Sequence, residues 1–187
     1  MSGKFTVVYG APNTGKSTAL KRFADEHKGF VYIKYPLYEL EPNGPVIDAV
    51  IHKRKEMTAE CLQLLCAENR RDFEQALEEL LEAGINVIAE DYTLTGIVSG
   101  LVEGVPLNTL KHFNKDLRIP DKAFLLVGER FTSGRELEHR FEEGDEKWAK
   151  TRELLLSFKD EYHLEIINVT PDIEKTYKAV ESAILSS

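Results

Sequence analysis

The sequence predicts an α/β fold: a five-stranded parallel sheet flanked by helices in a three-layer sandwich, with a mobile lid late in the chain. Three observations carry this. Apolar runs of four or five residues alternate with longer stretches at helical spacing, the pattern of a buried parallel sheet joined by crossover helices. The first run passes at once into a glycine-rich, lysine-bearing loop. Residues 128–145 are charged, carry Gly128, Gly134 and Gly144, and show no apolar stripe, which reads as the lid.

The strands are expected at Phe5 to Tyr9, Phe30 to Ile33, Asn86 to Ala89, Ala123 to Val127 and Glu165 to Val169. Each is too short for a helix and rich in β-branched or aromatic residues. Helical patterns fill the gaps. Ser17 to His27 follows the first strand. A long stretch from about Thr58 to Ala83 places Leu62, Leu65, Phe73, Leu77 and Leu80 near helical spacing, and Gly84 is set to end it. Asp145 to Tyr162 is a late helix, and Thr170-Pro171 before Asp172 is a start signal for a last one. Such alternation implies right-handed crossovers in an open sheet. With no internal repeat and 187 residues, the chain reads as a single domain spanning residues 1–187.

The formal charge of −8 argues against a broad polyanion-binding surface, and so against nucleic acid as a partner. Cys61 and Cys66 are the only cysteines and sit five apart in a helical stretch, which fits neither a zinc spacing nor a secreted disulfide framework. No apolar run reaches membrane-spanning length, and no secretory leader precedes the first strand. The expectation is a soluble, cytoplasmic protein with no membrane partner.

Gly10-Ala11-Pro12-Asn13-Thr14-Gly15-Lys16-Ser17 matches G-x-x-x-x-G-K-[ST], with an apolar strand before it and a helix after. Its glycines let backbone N–H groups turn inward around phosphate oxygens, and the positive end of the following helix adds to that field. With glycine near 7% of average sequence, a chance match in such a chain is roughly one in a hundred before context is counted. The predicted ligands are ATP and Mg2+, held by Gly10, Asn13, Thr14, Gly15, Lys16, Ser17 and Thr18. Lys16 would reach the β and γ phosphates, and Ser17 would ligate the metal. A guanine-specific GTPase would need N-K-x-D; Asn114-Lys115-Asp116-Leu117 has its acid one place early and reads as a solvated turn. A motor ATPase would be longer. A small kinase fits best.

Five landmarks then follow in order: Tyr35-Pro36 after the second strand, Gly44 with Ile47 opening the next helix, Asn69-Arg70 in the long helix, Glu90-Asp91-Tyr92 leading into Thr95-Gly96, and His139-Arg140-Phe141-Glu142 in the lid. Over roughly residues 4–160 the chain resembles thymidylate kinases, which carry Phe-Pro, Asn-Arg or Asp-Arg, Asp-Arg-Tyr and Glu-Arg-Tyr-Glu at these places. The resemblance implies the nucleoside monophosphate kinase fold, a homodimer, and the reaction ATP + dTMP → ADP + dTDP. It implies that Arg70 hydrogen-bonds the base, with Tyr35, Pro36, Tyr38, Cys66, Asn69, Asp91, Tyr92 and Ser99 around the acceptor. It implies that Lys16, Glu90, Arg135 and Arg140 act in transfer, Glu90 sharing the metal with Ser17. Arg130, Arg135 and Arg140 are five apart, about 140° per step on a helix of ~3.6 residues per turn. They cannot share one helical face, so a wrapping lid suits them better; Arg130 also reads as part of a solvated segment.

Several acceptor positions depart from the family. Pro12 stands for its loop acid, Tyr38 for the arginine after Phe-Pro, and Asp91 for the arginine of Asp-Arg-Tyr. Cys66 stands for the phenylalanine that stacks on thymine, and Ser99 for the aromatic against the sugar. A monophosphate acceptor brings an ionised nucleophile to an anionic donor, so cations must offset the repulsion; a neutral hydroxyl needs a carboxylate to take its proton. Losing two arginines and gaining Glu90 beside Asp91 leaves a hydroxyl acceptor (deoxynucleoside or hydroxymethylated base) open as the alternative, and a nucleotide-binding module without transfer activity as the third. Lys34, Tyr38, Lys53, Arg54 and Arg70 are the groups available to compensate.

Overall fold

The computed structural model describes residues 2–131, 140 and 144–186. Five strands form one parallel sheet: β1 (Phe5–Gly10), β2 (Phe30–Lys34), β3 (Asn86–Glu90), β4 (Lys122–Val127) and β5 (Glu165–Asn168), in the order β2-β3-β1-β4-β5. Each expected strand is present, displaced by no more than a residue at either end.

β1 shows why the fold has three layers. It is buried on both faces and its side chains alternate. Phe5, Val7 and Tyr9 join one core with Leu77, Leu81, Ile97 and Leu155, while Val8 joins a second with Leu20, Phe23, Val180 and Ile184. The first core lies under α3 (Ala59–Glu82), α4 (Thr93–Val102), α5 (Leu107–Phe113) and α6 (Asp145–Ser157); the second lies under α1 (Lys16–Glu26) and α7 (Ile173–Leu185). A smaller cluster of Ile47, Val50, Ile51, Leu62 and Cys66 fastens α2 (Asn43–Ile51) to α3.

Helix ends follow their local chemistry. Thr58 caps α3, its side chain accepting from the Cys61 N–H at 3.3 Å, and Asp172 caps α7 by accepting from the Lys175 N–H at 3.0 Å. Gly84 follows α3 at φ 80°, a left-handed turn that glycine adopts without cost. The late helix stops at Ser157, short of the expected Tyr162. Helices α4 and α5 were not foreseen. α4 reads Thr-Leu-Thr-Gly-Ile-Val-Ser-Gly-Leu-Val, poor in helix formers, and packing imposes its helix: a Cβ on Gly100 would stand 2.4 Å from Leu110 Cδ2. The glycines let α3 and α4 approach closely. Of the lid expected at 128–145, residues 132–139 and 141–143 lie outside the described residues.

Candidate active site

The phosphate loop leaves β1 and enters α1, so backbone geometry shapes this end of the site. Asn13 and Gly15 both have positive φ, 59° and 85°, conformations that turn successive N–H groups to one side. Thr14 is buried and its hydroxyl donates to Ala11 O at 2.9 Å, closing the loop on itself. Lys16 is buried too, its Nζ donating to Gly10 O at 2.8 Å and Ala11 O at 3.2 Å. Two later elements brace the loop: the Phe131 N–H donates to Asn13 O at 2.8 Å, and the indole N–H of Trp148, the sole tryptophan, donates to Pro12 O at 2.8 Å.

Glu90 closes β3 directly beside the loop. Its Oε1 accepts from the Ser17 hydroxyl at 2.8 Å and lies 3.4 Å from Lys34 Nζ, while Oε2 accepts from the Tyr32 hydroxyl. The register Lys34↔Glu90 sets that cation opposite the acid. Burial alone would raise the Glu90 pKa, but Lys16, Lys34 and the two hydroxyl donors outweigh it and hold the carboxyl below its ordinary value. Asp91 behaves oppositely: burial, reinforced by the Glu90 charge, holds it above its ordinary value despite Lys16 at 3.9 Å. Its φ of 61° is one that aspartate tolerates better than most residues, and Oδ1 accepts from the Thr95 hydroxyl at 2.9 Å. Ser17 and Glu90 thus put two hard oxygens side by side at the loop mouth, a donor set that fits Mg2+.

From the loop a cleft of about 630 Å³ runs across the sheet ends to α3 and α4. Gly10, Asn13, Gly15, Lys16, Ser17, Thr18 and Glu90 line one end; Tyr35, Pro36, Tyr38, Cys66, Arg70, Asp91 and Ser99 line the rest. Arg70 is buried on α3, NH1 donating to Asn114 Oδ1 at 3.0 Å, with Gly96 close against its guanidinium. Asn114, which ends α5 next to the exposed Lys115-Asp116 turn, therefore positions Arg70. Cys66 is buried and its thiol is pushed up to about 11 by desolvation, so it is an inert wall group.

Two expected acceptor residues stand behind the wall. Asn69 is fully buried and exchanges two hydrogen bonds with the Leu37 backbone at 2.8 and 3.0 Å, fixing the segment that carries Pro36 and Tyr38. Tyr92 packs against Phe5 and Tyr35, with ring centroids 5.2 and 5.1 Å apart. Arg140 is held at the far rim: its Nε donates to Glu103 Oε1 at 2.7 Å, NH1 to Met57 O at 3.1 Å, and its N–H to Ile51 O at 2.9 Å. Arg135 lies outside the described residues. Arg130, read as solvated, has a largely buried side chain paired with Asp145 at 3.2 Å, beside a hollow bounded by Trp148, Arg152, Thr170 and Pro171.

Sequence reasoning missed Tyr32, Gln63, Glu103 and Trp148. Tyr32 and Gln63 carried a faint signal, being polar atoms at buried strand and helix positions. Glu103 and Trp148 carried none, since only the folded chain brings them to the loop and the rim.

A cleft that grips phosphates by backbone at one end and offers a buried cation at the other defines a P-loop nucleotide kinase. Comparison with known proteins supplies the family: the thymidylate kinase model matches residues 10–180. The chain belongs to the thymidylate kinase family and is an ATP-dependent nucleotide kinase. A thymidylate kinase of Dictyostelium discoideum is 27% identical over 154 residues, covering 79% of this chain and 67% of that protein. Among solved structures, thymidylate kinase from Candida albicans superposes with a TM-score of 0.85 at 20% identity, over 99% of this chain and 92% of its own. That from Ehrlichia chaffeensis gives 0.74 at 14%, over 97% and 99%. Among the described residues no helix is long and apolar enough to cross a membrane.

Proposed function

We propose that the chain transfers the γ-phosphoryl group of ATP to the phosphate of a deoxynucleoside monophosphate, dTMP first of all, giving dTDP. The observation that carries this is that the phosphate loop and the Arg70 floor open into one cleft. Loop N–H groups and Lys16 hold the donor phosphates and offset charge as it shifts between oxygens. When bound, Mg2+ neutralises and orients those phosphates; Ser17 and Glu90 are the residues that would hold it. The hollow beside Arg130 and Pro171, walled by the Trp148 that bonds the loop at Pro12 O, takes the adenine ring.

At the acceptor side, Asp91 replaces a cation, and Lys34 on the adjoining strand end is the group placed to compensate. Both oxygens of Glu90 are engaged by Ser17, Tyr32 and Lys34, which suits a metal-organising carboxylate better than a base waiting for a hydroxyl proton. Arg70 meets the base. Arg135 and Arg140 neutralise the transferring group, Arg140 exchanging Glu103 for phosphoryl oxygens as the site closes. The assembly is a homodimer.

Incubating the chain with γ-labelled ATP, Mg2+ and a panel of nucleosides and monophosphates tests the reading. Label is expected in dTDP. Label carried only by nucleosides overturns the acceptor assignment, and ATP binding without transfer to any acceptor overturns the kinase assignment.

A further inference from the structure

Gln63 is 97% buried by its 3% exposure, yet its amide has no hydrogen-bond partner among the described residues. The described residues leave its two donors and its acceptor unused. It is not hidden in the core, because Gln63 lines the cleft together with Cys66 and Arg70. These three occupy positions i, i+3 and i+7 of α3, a single stripe facing α4. The facing positions on α4 are glycines. A Cβ on Gly96 would lie 3.2 Å from Gln63 Oε1 and 2.7 Å from Arg70 NH2, and one on Gly100 would lie 3.2 Å from Gln63 Cγ. The amide and the guanidinium are therefore held side by side against bare backbone, with the small Cys66 leaving room between them.

We infer that Gln63 reads the base of the acceptor nucleotide, together with Arg70, by pairing with the imide edge of a pyrimidine-dione. This rests on the monophosphate kinase reading above. Arg70 can only donate, so it requires a carbonyl on the ring. The Gln63 amide both donates and accepts, whichever way it is turned, and so matches a ring N–H flanked by carbonyls. Thymine and uracil present that edge. Cytosine presents an amino group where Arg70 needs an acceptor, and a bare ring nitrogen where the dione has N–H. Two donors then face each other in a buried site, which is a strong basis for rejection.

The test compares wild type with Gln63→Met, which keeps length and volume but removes the amide, and with Gln63→Glu, which changes a single atom. For each, melting is followed alone and with ATP, dTMP, dUMP or dCMP, and steady-state transfer is measured. Gln63→Met is expected to melt no lower than wild type without ligand, since the amide it removes bonds none of the described residues. Its KM for dTMP and dUMP should rise about ten-fold, the order expected for one or two lost neutral hydrogen bonds, with kcat and the KM for ATP within about two-fold. Its preference for dTMP over dCMP should shrink by a similar factor. Gln63→Glu, which forfeits both amide donors and sets a carboxylate beside Arg70, should also lose dTMP affinity while keeping ATP affinity. An unchanged KM for dTMP in both variants overturns the inference. So does a lowered ligand-free melting temperature with both KM values rising together, which marks a purely structural residue. If wild type is stabilised by ATP but by none of the monophosphates, the function reading fails and the inference falls with it.

Discussion

At the loop end of the cleft Thr14, Lys16, Ser17 and both oxygens of Glu90 are hydrogen-bonded within the protein. At the far end the Gln63 amide bonds none of the described residues, and the Tyr35 hydroxyl and the Arg70 Nε are buried without a partner among them. Each such group costs roughly 1–3 kcal/mol when left unsatisfied, a visible share of the 5–15 or so that stabilises an ordinary domain. The difference shows two ways of building a binding surface. Phosphate is held by backbone that must take that shape anyway, so the loop is complete before its ligand arrives. Base recognition is held in reserve by side chains whose polar capacity the protein itself does not use.

Breaking the loop end should have the larger effect. Lys16→Ala should lower kcat by about 10²–10³-fold, the usual loss for one charge-stabilising donor. Circular dichroism should be unchanged, because Lys16 Nζ gives its hydrogen bonds to loop carbonyls and its pairing with Asp91 is a long 3.9 Å. Breaking the far end with Arg70→Leu should raise the KM for dTMP about 10–100-fold through loss of charge-assisted hydrogen bonds, leaving the KM for ATP near wild type. Equal damage to both constants would erase the distinction between the two ends.

Two milder changes sharpen it. Glu90→Gln should lower kcat by about ten-fold and recover part of that loss as Mg2+ is raised, as fits a carboxylate that organises metal rather than a base worth 10²–10⁴ or so. Asp91→Asn should act mainly on stability. A carboxyl whose folded pKa stands above its unfolded one binds its proton more tightly in the native state. Ionising it therefore costs stability as pH rises past the unfolded value near 3.9, fully so above the folded value. Burial holds Asp91 in that raised condition, so Asp91→Asn should melt above wild type near pH 8. The advantage should fade toward pH 4. A variant that melts lower at pH 8 would show that Asp91 is favoured as the anion.

The strands and the loop were legible because each is written locally: β1 in an unbroken run of buried residues, the loop in glycine spacing that only backbone geometry needs. α4 was not legible, because Gly96 and Gly100 discourage a helix in isolation and make sense only against Arg70, Gln63 and Leu110. The roles of Asn69 and Asn114 were hidden for the same reason. One serves the Leu37 backbone and the other orients Arg70 from 44 residues away, and spacing carries no trace of either. Arg130 read as solvated since its partner Asp145 lies 15 residues on, at the far end of the expected lid.

The central claim is that one cleft holds donor and acceptor together, with their phosphates meeting at Lys16 and Glu90. A calorimetric titration with adenosine and thymidine joined through five phosphates tests it most directly. The account predicts one molecule bound per chain, far more tightly than ATP or dTMP alone, and displaced by either nucleotide. Binding that competes with only one of them, or two molecules bound per chain, would contradict it.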